Sequence, residues 1–378
     1  MRQALVPERI FDGDSIHDGA ALVLDGDRIE ALLPLTELPS DLPRQRLSGL
    51  LGPGFVDLQV NGGGGRMVDG STDLAFLRDL CALHRKLGTA GILPTLITDT
   101  AEATAAVIAA GIAAAQAQVP GFLGLHLEGP HLDPRRKGAH DPALIRPMTA
   151  VDTALLCDAA RALPALMVTV APESVSPEQI ATLTAAGAVV SLGHSDCSHD
   201  TALAARKAGA RCATHLFNAM SQIGNREPGL AGAILTSDLG AGIIADGIHV
   251  HPATLRLTLA AKAEGLFLVT DCMAFAGSDA TELRLNGRQV LRRDGRLTLA
   301  DGTLAGADLT MPHAIEVLIT QANCRPERAL AMATSVPADV IGAARFGRLR
   351  PGTAADLVLL AGDWSLAAVL SAGAMASA

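Results

Sequence analysis

The chain has 378 residues, a net charge of −9, 49% apolar and 18% charged residues. This composition supports a sizeable buried core and excludes wholesale disorder; at ~150 residues per domain, the length fits one large domain with a smaller companion. The acidic balance, with no basic stripe carrying interleaved aromatics, excludes nucleic acid as a bulk partner and leaves any anionic ligand to a local cationic site.

The first fifty residues read as short strands and turns. Asp12-Gly13 and Asp25-Gly26 flank the apolar run Ala20 to Leu24, and Pro34, Pro39 and Pro43 interrupt any helix. Pro7-Glu8-Arg9 breaks the N-terminus before the apolar core of a signal peptide can form. Leu51-Gly52-Pro53-Gly54 marks a boundary, so residues 1–52 are assigned to a small β-domain.

From Phe55 the texture changes. Apolar runs at Phe55–Val60, Gly91–Ile97, Phe122–Leu127, Met167–Val170, Ala188–Leu192, Ala210–Leu216, Gly242–Ala245 and Leu266–Thr270 alternate with Ala/Leu-rich helical segments. Eight such units predict an α/β fold, a (β/α)8 TIM-like barrel over residues 53–345. A doubly wound sheet is the alternative, but Gly62-Gly63-Gly64-Gly65 is no dinucleotide fingerprint. The Ala-rich stretch Ala101 to Val119 carries Glu102, Gln116 and Gln118 and reads as a helix packed on a sheet, not a membrane span. Asn286-Gly287 and Asp294-Gly295, set among alternating residues, predict a β-hairpin inserted near 282–304. Gly347 to Leu360 supplies two further strands around Pro351-Gly352, within a C-terminal part of the small domain assigned to residues 346–378. With the first fifty residues they would build a small β-sandwich from both termini, leaving a frayed Ala/Ser/Gly tail. The six cysteines form no CxxC pair and read as reduced, buried thiols of a cytoplasmic chain.

In such a barrel, chemistry sits where the strands end. Those ends carry Gln59 and Asn61, Thr98, Glu128, Glu173, His194, His215, Asp246 with His249, and Asp271. His194 and His215 follow consecutive strands, so their rings can converge. With Glu128 they make a His₂Glu set suited to a catalytic zinc with an open position for water. A carboxylate ending an apolar strand is costly unless paired or bound to metal. Asp271 could exchange a proton with a water on such a metal, or cap the following helix. Asn218, Arg226 and His249 could hold an anionic or sugar group, and Arg135-Arg136-Lys137 reads as a solvated turn.

Several longer strings resemble a known family. Pro53-Gly54-Phe55-Val56-Asp57, with Pro351-Gly352-Thr353-Ala354-Ala355-Asp356 near the C-terminus, resembles the amidohydrolase superfamily. Gly-Leu-His-Leu-Glu-Gly-Pro (124–130), Lys-Gly-Ala-His (137–140), Leu-Gly-His-Ser (192–195), Thr-His-Leu-Phe-Asn-Ala-Met (214–220), Arg-Glu-Pro-Gly-Leu-Ala-Gly (226–232), Ala-Asp-Gly-Ile-His-Val (245–250), Leu-Val-Thr-Asp (268–271) and Gly-Thr-Leu-Ala-Gly (302–306) are similar, in order, to the N-acetylglucosamine-6-phosphate deacetylases within it.

The resemblance implies hydrolysis of an acetamide to amine and acetate, with a metal-activated water as nucleophile. It implies metal ligands Glu128, His194 and His215, Asp271 as general base and acid, and His140 as a catalytic residue polarising the carbonyl. Substrate contacts would be Ala139, His140, Asn218, Ala219, Arg226, Asp246, His249, Leu304, Ala305 and Gly306. It also implies a homodimer acting on a small amino-sugar phosphate. Gln59 and Asn61 stand where many superfamily members carry two His ligands for a second ion, and amides are poorer ligands. They are the remnant of a weak second site, so one divalent ion is expected: zinc, or iron, cobalt or manganese. Two other readings use the same scaffold: an amidohydrolase of another N-acyl sugar phosphate or cyclic amide, and a catalytically silent binding protein.

Overall fold

The computed structural model describes residues 2–285, 288–371 and 374–377; the expected Asn286-Gly287 turn lies outside them. The apolar runs become eight parallel strands: Phe55–Val60, Thr89–Ile97, Leu125–Glu128, Leu166–Val170, Val189–Leu192, Cys212–Ala213, Gly240–Ile243 and Leu266–Leu268. Each is hydrogen-bonded to the next in chain order, as a (β/α)8 barrel requires. They are mostly apolar because side chains on both faces are buried, one inside the barrel and one against the helices, with Asp57, Gln59, His126, Thr169 and Ser191 among the buried polar exceptions. Side-chain caps at Asp73, Thr100, Thr149, Ser176 and Ser198 start the helices that follow the first five strands. The Ala-rich segment is one of these, Ala101–Gln116, with Val107, Ile108 and Ala114 on its buried face. Among the described residues no helix is long and apolar enough to cross a membrane.

The barrel closes between its first and eighth strands. Asp271 N–H donates to Gln59 O (3.1 Å), and Asn61 N–H to Cys272 O (2.9 Å). Below them lies the fully buried Asp57, whose carboxylate accepts from Gln59 N (3.1 Å), Thr270 N (3.3 Å) and Thr270 Oγ1 (2.5 Å). Asp57 thus fixes the register that places Gln59 opposite Asp271.

Both termini build the second β-unit. Leu357–Leu360 pairs antiparallel with Arg44–Pro53, which itself runs parallel to Arg2–Phe11. Hydrogen bonding is continuous through seven strands, from Arg28–Pro34 at one edge to Ala374–Ser377 at the other, and an eighth, Ile16–Asp18, pairs Arg2–Phe11 off that path. The tail expected to fray therefore contributes the last strand, paired with Leu366–Ser371. Alternation separates the sheet's two faces: Leu5, Leu22 and Leu24 enter one apolar cluster, Ala4, Ala21 and Val23 another.

The insert after the eighth strand is larger than a hairpin. Glu282–Leu285, Arg288–Arg293, Arg296–Leu299 and Leu304–Ala307 form four antiparallel strands. Val290, Leu297, Leu299 and Ala305 pack on Met273 and Phe275 beside the barrel mouth. The alternating pattern runs on through Leu304–Ala307, which pairs the hairpin's second edge and returns the chain beside Cys272.

Burial pushes the Asp57 carboxyl up to about 7, against its hydrogen bonds. The folded chain therefore binds this proton more tightly than the unfolded chain. Its contribution to stability is complete below about pH 4 and is lost as pH rises to about 7, on the order of a few kcal/mol. Asp57→Asn should lack this component. Urea unfolding of both proteins between pH 4 and 7 should show wild type losing stability relative to the variant; parallel curves would contradict the assignment.

Candidate active site

Glu128 ends the third strand and is only 2% exposed. Its Oε1 lies 3.2 Å from His194 Nε2 and 3.0 Å from His215 Nε2, and the two imidazole nitrogens are 3.1 Å apart. A tetrahedral ion with bonds of about 2.0–2.1 Å needs ligand atoms about 3.3 Å from one another. The triangle is therefore close to the size a divalent ion requires, and the residues fit one. Hydrogen bonding also presents the right nitrogen. Arg136 O can only accept, so His194 carries its proton on Nδ1 (2.8 Å) and keeps an open lone pair on Nε2. His215 is held only at its Nε2 edge, since its Nδ1 is buried without a partner. Burial alone would raise the Glu128 carboxyl, but its contacts with the His194 and His215 imidazoles hold it well below its usual range.

His140 has the opposite proton placement. Thr98 N–H donates to its Nδ1 (3.2 Å), so the neutral ring must carry its proton on Nε2, which stands 3.8 Å from Glu128 Oε2. Burial, reinforced by the neighbouring His194, pushes His140 down to about 3, so it is neutral at physiological pH. A neutral N–H donor beside the acid of the triad is suited to a substrate carbonyl oxygen.

Asp271 follows the eighth strand. Asn61 Nδ2 donates to its Oδ1 (2.7 Å), leaving Oδ2 for chemistry. Burial, aided by the charge of Glu128, pushes Asp271 up to about 6, so it is ionised at pH 7 yet close to neutrality as a proton carrier. Gln59 Nε2 donates to Glu128 Oε1 (3.2 Å). Both amides thus turn their nitrogens, not their oxygens, toward the acids, an orientation that does not build a second ion site.

Asn61, Glu128, His140, His194, His215 and Asp271 line a cavity of about 260 Å³ with Ala139, Asn218, Ala219, His249 and Leu304–Gly306. Two expected contacts stand elsewhere. Asp246 is not in the wall: its carboxylate accepts from His249 Nδ1 (2.6 Å) and from the Ile248 and His249 backbone, so it orients His249. Arg226 is exposed on the loop after Met220 and does not line this cavity. Arg135 and Arg136, expected in a solvated turn, are ion-paired with Asp133, Glu173 and Asp196. The cavity adds Met67, Ile97, Ile244, Met273 and Thr303. These were not expected: Ile97 and Ile244 lie in apolar runs where a cavity-facing residue looks like any other, and Met67, Met273 and Thr303 lie outside such runs.

The sequence profile of the amidohydrolase family matches residues 50–374, and that of the NagA composite domain matches residues 3–51. An N-acetylgalactosamine-6-phosphate deacetylase of Shewanella sp. is 43% identical over 89% of this chain and 86% of its own. An N-acetylglucosamine-6-phosphate deacetylase of Haemophilus influenzae is 33% identical over 97% of both. The solved structure of the N-acetylglucosamine-6-phosphate deacetylase from Pasteurella multocida superposes with a TM-score of 0.94 at 34% identity, covering 100% of each chain.

The dialysed protein should hold one divalent ion per chain by elemental analysis, and His194→Ala or His215→Ala should lose most of it. Two stoichiometric ions would contradict the reading of Gln59 and Asn61.

Proposed function

We propose, from the premise that this chain belongs to the amidohydrolase family and within it to the amino-sugar 6-phosphate deacetylases, that it hydrolyses N-acetylglucosamine 6-phosphate to glucosamine 6-phosphate and acetate. The observation that carries this reading is the meeting in one cavity of the Glu128–His194–His215 triad, a neutral Nε2–H donor on His140 and a half-free carboxylate on Asp271. So complete a set argues against a silent binding protein.

Glu128, His194 and His215 would hold the ion, proposed as zinc from its His₂Glu donors. When bound, the ion would acidify a water toward neutral pKa and polarise the acetamide carbonyl. His140 Nε2–H donates to the carbonyl oxygen as negative charge grows on it. Asp271 Oδ2 accepts the proton of the attacking water. It then delivers that proton to the amide nitrogen, because an amine leaves far more readily than its anion. Asn61 keeps Oδ1 occupied, so a single oxygen performs both transfers.

The phosphate needs more than this chain's own wall offers, since no Lys or Arg lines the cavity among the described residues. His249, fixed by Asp246, supplies one donor. Arg226 stands on an exposed loop beside Ile223, itself 56% exposed, and a second copy of the chain would bring this arginine to its neighbour's cavity. This supports a homodimer. All six cysteines are free and buried, which supports a reducing, cytoplasmic setting.

A second reading exchanges the sugar for its C4 epimer. It is favoured by the 43% identity to an N-acetylgalactosamine-6-phosphate deacetylase. Acetate release from both sugar phosphates decides between the two: kcat/KM higher for the gluco isomer supports the first, and higher for the galacto isomer the second.

Asp271→Asn should lower kcat by at least roughly 10³-fold with metal content near normal, since acid–base steps are worth ~10²–10⁴-fold. A variant retaining more than about a tenth of wild-type kcat, below that range, would remove Asp271 from the proton transfers. His249→Ala or Arg226→Ala should raise KM for the 6-phosphate and leave the unphosphorylated sugar little affected, because a charge-assisted contact needs both partners. Equal losses on the two substrates would assign these residues to the rim's structure instead.

A further inference from the structure

The arginines of the Pro134–Arg136 turn and the acids around them have no part in the chemistry described above. They join two rim loops: Pro130–His140 after the third strand, and His194–Asp196 after the fifth. Asp196 Oδ1 receives Arg136 through both Nε (2.8 Å) and Nη2 (2.5 Å). Glu173, which follows the fourth strand, holds the same loop from its other side. Its Oε2 accepts from Ser195 Oγ (2.8 Å) and its Oε1 from Asp196 N–H (2.9 Å). Arg135 spans Asp133 (2.6 Å), Glu173 (3.4 Å) and Asp196 (3.4 Å).

Between these ion pairs lie two bonds to His194 itself. Asp133 N–H donates to His194 O (2.9 Å), and His194 Nδ1–H donates to Arg136 O (2.8 Å). The second of these fixes the ring's proton on the side away from Glu128. Arg136 thus touches His194 through its backbone while its side chain is tied to Asp196, two residues beyond that histidine. The loop bearing Arg136 continues to Gly138, Ala139 and His140 in the cavity wall.

We infer that the Arg136–Asp196 pair, braced by Glu173, is a positioning device that sets the orientation and proton placement of His194 and so the affinity of the ion site. The device rests on the metal-site reading given above. The pair is too exposed to be a major source of stability: the Asp196 and Arg136 side chains are 30% and 37% accessible, and exposed pairs contribute little. Two guanidinium N–H groups converging on one carboxylate oxygen, in charge-assisted hydrogen bonds, do fix geometry. Groups that orient a ligating histidine typically change metal affinity by 10–100-fold when removed.

The test uses the full-length protein stripped of metal and titrated with zinc against a chromogenic chelator, for wild type, Asp196→Asn, Asp196→Glu and Arg136→Met. Thermal unfolding of each stripped protein is measured alongside. Asp196→Asn and Arg136→Met should each bind zinc roughly 10–100-fold more weakly. Their midpoints should stay close to wild type, and at saturating zinc their KM should be unchanged. Asp196→Glu, which keeps the carboxylate, should retain most of the affinity. Wild-type zinc affinity in Asp196→Asn and Arg136→Met would overturn the inference, as would a lowered midpoint with unchanged affinity, the mark of a purely structural brace. Should one of these two variants fail to fold, the other decides. If wild type itself bound no zinc, the metal-site reading would fail first, an outcome distinct from a variant effect.

Discussion

The rest of the site is organised around one unfavourable act: burying the carboxylate of Glu128 at the end of an apolar strand. An uncompensated charge at 2% exposure would cost far more than the few kcal/mol that separate folded from unfolded chains. Two imidazoles and the Gln59 amide reach the same oxygen, Oε1. One of those imidazoles, His194, is tautomerically committed to presenting a lone pair there. A lone pair and a negative oxygen 3.2 Å apart repel unless a cation lies between them. The arrangement is therefore favourable when an ion is bound, and its folding and its chemistry are coupled.

Histidine has three uses here, separated by what touches the far side of each ring. A carbonyl at Nδ1 leaves His194 a free Nε2 lone pair, a backbone N–H at Nδ1 makes His140 a donor at Nε2, and a carboxylate at Nδ1 anchors the His249 ring. His126, deeper in the barrel, is bonded at both nitrogens, to Leu58 O and to Thr169 Oγ1, and burial pushes it down to about 4; it belongs to the core. Residue type alone does not separate these roles. Except for His249, whose partner is three residues away, the deciding neighbour is distant in sequence: 42 residues for His140, 58 for His194 and 68 for His126.

That distance explains what was legible in the sequence. The eight strands were, because burial on both faces writes a short, mostly apolar run. The triad and Asp271 were, because polar residues that end such runs stand out. The hold of Asn61 on Asp271 was not, since it joins positions 210 residues apart. Asp246 was read as a substrate contact because a strand-end acid looks the same whether it faces a ligand or, as here, a histidine three residues on. Arg226 carries a motif but no local pattern that says it stands exposed outside the cavity. The strands at Leu366–Ser371 and Ala374–Ser377, both beyond the expected Gly347–Leu360 pair, were missed because small residues give weak alternation.

The same rim carries backbone strain that no residue pattern announces. His194, His215 and Asp271 have φ of 48°, 30° and 49°, the left-handed region that non-glycine residues avoid at a cost of about 1–3 kcal/mol each. In all three the carbonyl is held by a backbone N–H: from Asp133 on the neighbouring loop (2.9 Å), from Asn218 in the same turn (2.9 Å) and from Ala307 of the insert (2.9 Å). Gly306 must be glycine for the last of these. Its φ is +65°, and a Cβ there would stand 2.8 Å from Asp271 O. The insert is thus more than a cover for the cavity. By holding Asp271 O it helps maintain the turn that exposes the carboxylate, as the Asp133 loop does for His194. The strained conformation turns each functional side chain out of the strand direction and into the mouth. Three separate loops sustain it because no single strand end could.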